Sequence, residues 1–280
     1  MSELNEHHAG KLHGIWALTN RELKKWYKAP VIFILSIIQP IIWMGLLGKA
    51  MNLGALIPTN IPGLNATAIL ERNLGTSSYF SFMAVGMIGF TALFTTMFSG
   101  MSIVWDRRLG FLNKALSTPV SRAVIIFSKV LSATLRSMFQ AGIIIVIAVA
   151  LGLQFGASFT PLSILGVFAI LFLICVGLSS AFIAITIRST RIETPMAVVN
   201  LINLPLMFAS NSLFPIALMP DWLQTVAKFN PLTYTIDAMR QLLVFTTDYG
   251  QLGMDFLYVG IFAAVVATIG TVLSWRFLCK

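Results

Sequence analysis

Trp105–Arg122 reads WDRRLGFLNKALSTPVSR, and the fold turns on how that stretch is interpreted. It is a polar island holding Asp106, Arg107, Arg108, Lys114 and Arg122, between two apolar stretches that are each long enough to cross a bilayer. The whole chain of 280 residues has only 19 Lys and Arg and 10 Asp and Glu, so such crowding is selective. The island must lie in water or against a protein partner. It is therefore a topology signal or a docking surface.

Composition supports the membrane setting. Hydrophobic residues make up 57% of the chain and charged residues 10%, against roughly 25% charged in an ordinary soluble domain. A soluble protein of this length could not hide so much apolar surface, and most of the chain must face lipid. Cys175 lies in an apolar run and Cys279 at the end of the sequence, a pattern that gives no disulfide, redox or metal motif. A zinc reading of His7, His8 and His13 lacks acidic or sulfur partners. The first apolar run shows no small-residue cleavage pattern and reads as an uncleaved anchor rather than a signal peptide.

Working outward from the island predicts an all-α integral membrane protein with six transmembrane helices. Residues 1–30 are expected to form a cytoplasmic tail and an amphipathic interfacial helix, and residues 31–280 the transmembrane domain. Leu12, Ile15, Trp16, Thr19, Leu23, Trp26 and Tyr27 recur at helical spacing, while Arg21, Lys24, Lys25 and Lys28 occupy another face. That arrangement suits aromatics at headgroup depth with cations toward anionic lipid, or a soluble helix packed on a partner. The expected spans are 31–50, 79–104, 123–152, 162–187, 195–210 and 252–275. The element between the second and third spans is 105–122, where Thr118 could cap the next helix with Pro119 in its first position. Residues 51–77 read as an exposed excursion, in which Asn65 fits a weak glycosylation pattern. Residues 211–244 form a broken, re-entrant region before the last span.

Polar residues within the spans have two readings. Gln39-Pro40 at the centre of the first span marks a kink that shapes a passage or simply packs against a neighbour. Thr91 and Thr95 lie in a small-residue-rich second span, where they line a path or serve close helix packing. Asn200 and Asn203 interrupt the short fifth span and complete the candidate translocation set. Arg136 is read as snorkelling to the inner boundary or paired within the bundle.

Six spans put both ends on one side, and that side receives fifteen of the nineteen Lys and Arg residues. The positive-inside rule then makes both ends cytoplasmic, in a prokaryotic plasma membrane. The basic charge is thus an orientation signal, and nucleic acid is not an expected partner. No segment has the paired carboxylates, His/Cys cluster or activated nucleophile of a hydrolase. No Gly-rich loop ends in Gly-Lys-Ser/Thr, so the chain is not expected to bind nucleotide or to be an enzyme. Energy for transport would come from elsewhere. If Asp106–Leu116 is helical, Leu109, Leu112 and Leu116 form one apolar stripe rimmed by Arg108 and Lys114. The stripe could anchor in a cytosolic partner or rest on the membrane surface.

Two local motifs within this frame resemble a known family. RRLGFLNKALSTPVSR at Arg107–Arg122 resembles a Gly-Thr-Leu-Glu-like turn followed by Thr-Pro-x-x-Arg, matched by Gly110, Leu112, Leu116, Thr118, Pro119 and Arg122. Phe111 stands where Thr is common and Asn113 where Glu is common. Asn230-Pro231-Leu232-Thr233-Tyr234 with Asp237-Ala238-Met239-Arg240 resembles an Asn-Pro-x-x-Tyr, Asp-Ala-x-Arg region before a last span. Tyr79-Phe80-Ser81-Phe82 and Gly86 resemble a second-span entrance, with Val85-Gly86 in place of Pro-Gly. The family is that of the transmembrane permease subunits of ABC-2 type transporters, particularly daunorubicin-resistance and other multidrug or lipid exporters.

The resemblance implies a separate ABC ATP-binding subunit, which would hold ATP and Mg, and a second permease copy as homodimer or related heterodimer. ATPase motion would be transmitted through Leu109–Leu116 and the interfacial helix, with the docking residues running from Asp106 to Leu116 and on to Thr118, Pro119 and Arg122. Asn230, Pro231, Tyr234, Asp237 and Arg240 would form an outer gate; Asp237 and Arg240 could pair across one turn or be ordinary surface charges. Export of an amphipathic, drug-like or lipidic substrate is the expected function. Polysaccharide or glycolipid export and a non-transporting scaffold or sensor are the alternatives.

Overall fold

The computed structural model describes residues 3–49, 74–76, 78–117, 121–189, 191 and 193–278. Among them all regular structure is helical. Helix α1 (Glu3–Tyr27) starts within the expected polar tail and is followed, after Pro30 in a first-turn position, by α2 (Pro30–Trp43). Pro40 lies inside α2, which passes into a π-helical turn at Met44–Lys49. A proline removes one hydrogen-bond donor from the ladder, and a widened turn is one way in which a helix absorbs such a break. Helix α3 (Tyr79–Arg108) is capped by Ser78, whose side chain accepts from the Ser81 N–H.

The expectation of one continuous helix over Asp106–Leu116 fails at Gly110. Its φ of +71° is left-handed, a region that glycine enters without the penalty of a Cβ. The chain turns there and re-enters a short helix, α4 (Phe111–Leu116). Leu109 is consequently 74% exposed whereas Leu112 is buried, and the two do not share one stripe. Helix α5 (Arg122–Ala150) begins after Ser121, later than the expected Thr118-Pro119 start; Thr118 and Pro119 lie outside the described residues. So do residues 51–73, including Asn65.

Helix α6 (Pro161–Thr186) has a reciprocal capping box between Thr160 and Ser163 with proline in its first turn. Helix α7 (Glu193–Phe208) continues through Pro205, followed by a 3-10 turn at Ile216–Leu218, α8 (Asp221–Phe229), α9 (Pro231–Leu243) and α10 (Tyr249–Leu278). Among the described residues four helices, α3, α5, α6 and α10, are long and apolar enough to cross a membrane. At about 1.5 Å per residue, α3 is roughly 45 Å long and outreaches a hydrocarbon core of about 30 Å.

Helix α3 is the centre of the bundle, buried along most of its length, while α10 is peripheral. Small residues explain the position of α3. A Cβ on Gly86 would overlap the Ser212 carbonyl, and one on Gly100 would come within 2.7 Å of the Phe182 carbonyl. In lipid, where no hydrophobic effect drives helices together, such close approach is a main source of association. The major core runs from Met83, Met87 and Leu93 of α3 to Ile170 and Ile174 of α6 and Ile236 and Met239 of α9. A smaller core, with Leu112, Ile125, Ile126, Ile183 and Ile187, fixes α4 against α5 and α6.

Candidate functional site

The two ends of α3 carry the candidate functional groups. At one end Asp106, 1% exposed, lies between α1 and α5. Its Oδ2 accepts from Lys129 Nζ at 2.6 Å, and its Oδ1 accepts from Lys25 Nζ at 2.8 Å and from Arg21 at 3.3 Å. Glu22, also buried, accepts from Arg21 and Lys25 at 3.0 Å each and from Lys129 at 3.5 Å. Lys129 also donates to Ser102 Oγ at 3.0 Å. Two carboxylates are thus shared by three cations from two helices. Buried charges persist only when they are paired and hydrogen-bonded in this way.

The ionic cluster is joined to α4 by a stacked cation. The Arg21 guanidinium carbon lies 3.2 Å from the Phe111 ring centroid. Stacking of this kind suits the planar guanidinium better than an ammonium. Arg21 therefore touches Glu22, Asp106 and Phe111 at once, linking α1, α3 and α4, while Lys129 brings in α5. Arg107 donates to the Ser189 carbonyl at 3.4 Å. Arg108 and Lys114 are exposed, as expected for rim charges, and Asn113 lies on α4.

Sequence reasoning placed Asp106 and the rim here but did not find Glu22, Arg21, Lys25 and Lys129 as a set. It places Arg21 and Lys25 on a cationic face, turned toward anionic lipid or belonging to a soluble helix packed on a partner. The lone acid Glu22, three residues before Lys25, was the available local signal. Its pairing with Lys129, 107 positions away, carries no local signature.

At the other end, Arg240 is 1% exposed on α9. Arg240 fits neither reading of Asp237 and Arg240: it is no surface charge, and among the described residues it makes no ion pair with Asp237; the guanidinium turns instead toward backbone. It donates to the Phe82 carbonyl at 3.1 and 3.3 Å, to Asn211 at 2.6 Å and to Ser212 at 3.4 Å. It also stacks 3.4 Å from the Phe82 ring centroid. A rigid fork of donors matches several converging carbonyls, which explains why the nearby carboxylate is not its hydrogen-bond partner.

Asn230 works similarly. Its Nδ2 donates to the Leu206 and Ala209 carbonyls at 2.7 Å each, and its Oδ1 accepts from the Leu232 N–H at 3.0 Å, capping α9. Pro231 occupies the first turn. Tyr234 donates to the Lys228 carbonyl at 2.8 Å and packs against Tyr258, with ring centroids 4.0 Å apart. Asp255 on α10 is fully buried and accepts from Gln241 and Gln251 at 3.0 Å each.

The candidate translocation residues divide into two groups. Gln39, Thr91 and Thr95 line a single cavity of about 360 Å³ between α2, α3 and α5. Asn200 and Asn203 are elsewhere, on α7: Asn200 is exposed, whereas Asn203 is buried with an unpartnered Oδ1. Among the described residues no group of His, Cys, Asp and Glu could hold a metal ion.

Known proteins of similar sequence give the chain its family. Residues 13–244 match the family described as ABC-2 type transporter. The chain is 33% identical over 231 residues to ycf38 of Cyanophora paradoxa, named as a transport permease, covering 81% of this chain and 73% of that protein. It is 25% identical over 223 residues to the doxorubicin resistance ABC transporter permease protein DrrC of Mycobacterium tuberculosis, covering 79% and 74%. Nodulation protein J of Rhizobium leguminosarum bv. trifolii is 25% identical over 239 residues, 84% and 82% of the two chains. The match spans α3, the Asp106 cluster, α4 and α9 together. The chain therefore belongs to the ABC-2 type transporter family, as a membrane-embedded permease subunit.

Proposed function

We propose that this permease exports an amphipathic, drug-like or lipidic substrate, powered by ATP hydrolysis in a separate subunit that docks against α4 and α1. The observation that carries this reading is the shared Arg21, which contacts Phe111 of α4 and Asp106 of α3 in one side chain. A push on α4 would reach the central helix through that side chain and through Lys129 would reach α5. Exposed Leu109, Arg108 and Lys114 supply an apolar anchor with charged steering groups for the ATPase.

In this reading α2 and α7 complete six spans, and the Asp106 end faces the cytoplasm with both termini. The Arg240 end is the outer gate. Two permeases, identical or related, work with two ATPases. The names of the drug-resistance relatives support the substrate class, and the charge distribution supports the orientation.

The test is ATP-driven efflux from proteoliposomes containing the permease with its ATPase. Leu109→Glu with Arg108→Glu is expected to release the ATPase on purification and to lower efflux about tenfold or more, as loss of a central apolar anchor does at other interfaces. Unchanged association and efflux would exclude this surface as the docking site.

A further inference from the structure

The cavity between α2, α3 and α5 contains a cation, Arg136, that makes no ion pair among the described residues; the acid that acts on it, Glu22, is already shared by Arg21, Lys25 and Lys129. Arg136 lies on α5 two helical turns, about 10 Å, beyond Lys129 of the ionic cluster. Among the described residues its guanidinium makes one hydrogen bond, from Nε to the Ser132 carbonyl at 3.2 Å, and no ion pair. One turn deeper, Gln140 is by contrast satisfied at both ends of its amide. It donates to Ser36 Oγ of α2 at 2.6 Å and accepts from Thr95 of α3. The three helices are thus tied at a polar layer beside the cavity, and the remaining donor capacity belongs to Arg136.

The opposite wall is aromatic. Phe90, Phe94 and Phe98 form a ladder along α3, with successive ring centroids 5.0 and 5.6 Å apart. Phe98 is about two turns from Asp106 along α3 and lies toward the ionic end, with Phe90 deeper. Trp26 of α1 also lines the cavity, and Trp26 packs edge-on against Phe33 and Phe139. Leu35 and Phe98, both exposed, leave the cavity open to its surroundings. A guanidinium at one end and an aromatic ladder running away from it form a site for a molecule with one charged end.

We infer that this cavity is the substrate site for an anionic amphipath, whose carboxylate or phosphate ester pairs with Arg136 and whose apolar body lies along Phe98, Phe94 and Phe90. The inference rests on the export reading above and narrows its substrate class to anions. An unpaired cation in a low-dielectric site attracts an anion and repels a second cation. The volume of about 360 Å³ accommodates a headgroup and part of one chain, not a whole two-chain phospholipid. The head is held at the ionic end of the bundle, adjacent to the helices that the ATPase would move.

The permease–ATPase complex in nanodiscs is titrated with ω-bromoundecanoate, with ω-bromoundecyl-trimethylammonium and with inorganic phosphate. The bromine quenches tryptophan on contact, and a Trp26→Phe variant identifies the signal from the cavity. The carboxylate is expected to give saturable quenching that Trp26→Phe removes, that Arg136→Gln weakens about tenfold or more and that Arg136→Lys partly restores. The ammonium analogue should give only the linear quenching of partition into lipid, and inorganic phosphate should not displace the carboxylate. ATP-driven efflux of the same carboxylate separates a transported substrate from a resident lipid.

Equal saturable quenching by both heads overturns the inference, even if Arg136→Gln does not fold. So does displacement by inorganic phosphate, or binding of the carboxylate without its export. Export of the ammonium analogue alone would overturn this site's anion preference while leaving the ATP-driven export reading intact.

Discussion

At one end of α3 the buried charge is Asp106, met by two ammonium groups and a guanidinium; at the other end the buried charge is Arg240, met by backbone carbonyls and an aromatic face. The first arrangement is made of long, flexible side chains from different helices. Its partners can exchange while charge stays balanced, so the helices can shift without losing the pairing. The second arrangement binds backbone to backbone through one planar group and has no such freedom. Under the coupling proposed above, movement falls to the Asp106 end and anchorage to the Arg240 end. This division fits a permease driven from one face and gated at the other.

The strongest way to break this contrast is to strand a charge. Asp106→Leu leaves Lys129 buried without its closest partner and should cost about 3–5 kcal/mol. Thermal unfolding of the detergent-solubilised complex would read this as a large fall in midpoint. Asp106→Leu with Lys129→Leu should recover most of the loss, because both desolvated charges are then gone. Equal losses in the single and double variants would show that shape rather than charge holds this end.

Arg240→Met comes next, with an expected cost of about 2–3 kcal/mol from carbonyls left without donors. Arg240→Lys should recover only part of it in the same assay, since one ammonium cannot reproduce the fork. Full recovery would reduce the anchor to a simple charge. Gly86→Ala is expected to be smaller, about 1–3 kcal/mol, because the new methyl group meets the Ser212 carbonyl beside the Arg240 site. A neutral result would mean that the 210–214 turn can move, which would weaken its role as the fixed end.

Much of this architecture was legible in the sequence where a local rule governs it. Long apolar runs correspond to the four long helices and the polar island to the break between α3 and α4, whereas the capping of α9 by Asn230 emerges only from the structure. The failures are equally specific. Gly110 was counted as a motif residue rather than as a left-handed break, so Leu109 and Leu112 were placed on one face. Three-residue spacing leaves Asp237 and Arg240 as a pair or as surface charges, yet converging carbonyls from α3 and the 211–212 turn bury the guanidinium and outcompete the carboxylate. Glu22 with Lys129, and Arg136 with the cavity, depend on tertiary contacts that no spacing encodes.

The central claim is that ATP hydrolysis reaches the bundle through the ionic cluster, and the direct measurement is substrate exported per ATP hydrolysed in proteoliposomes. The account predicts that the Asp106→Leu/Lys129→Leu permease, folded and bound to its ATPase, hydrolyses ATP while the export ratio falls about tenfold or more. An unchanged ratio in that variant would contradict it.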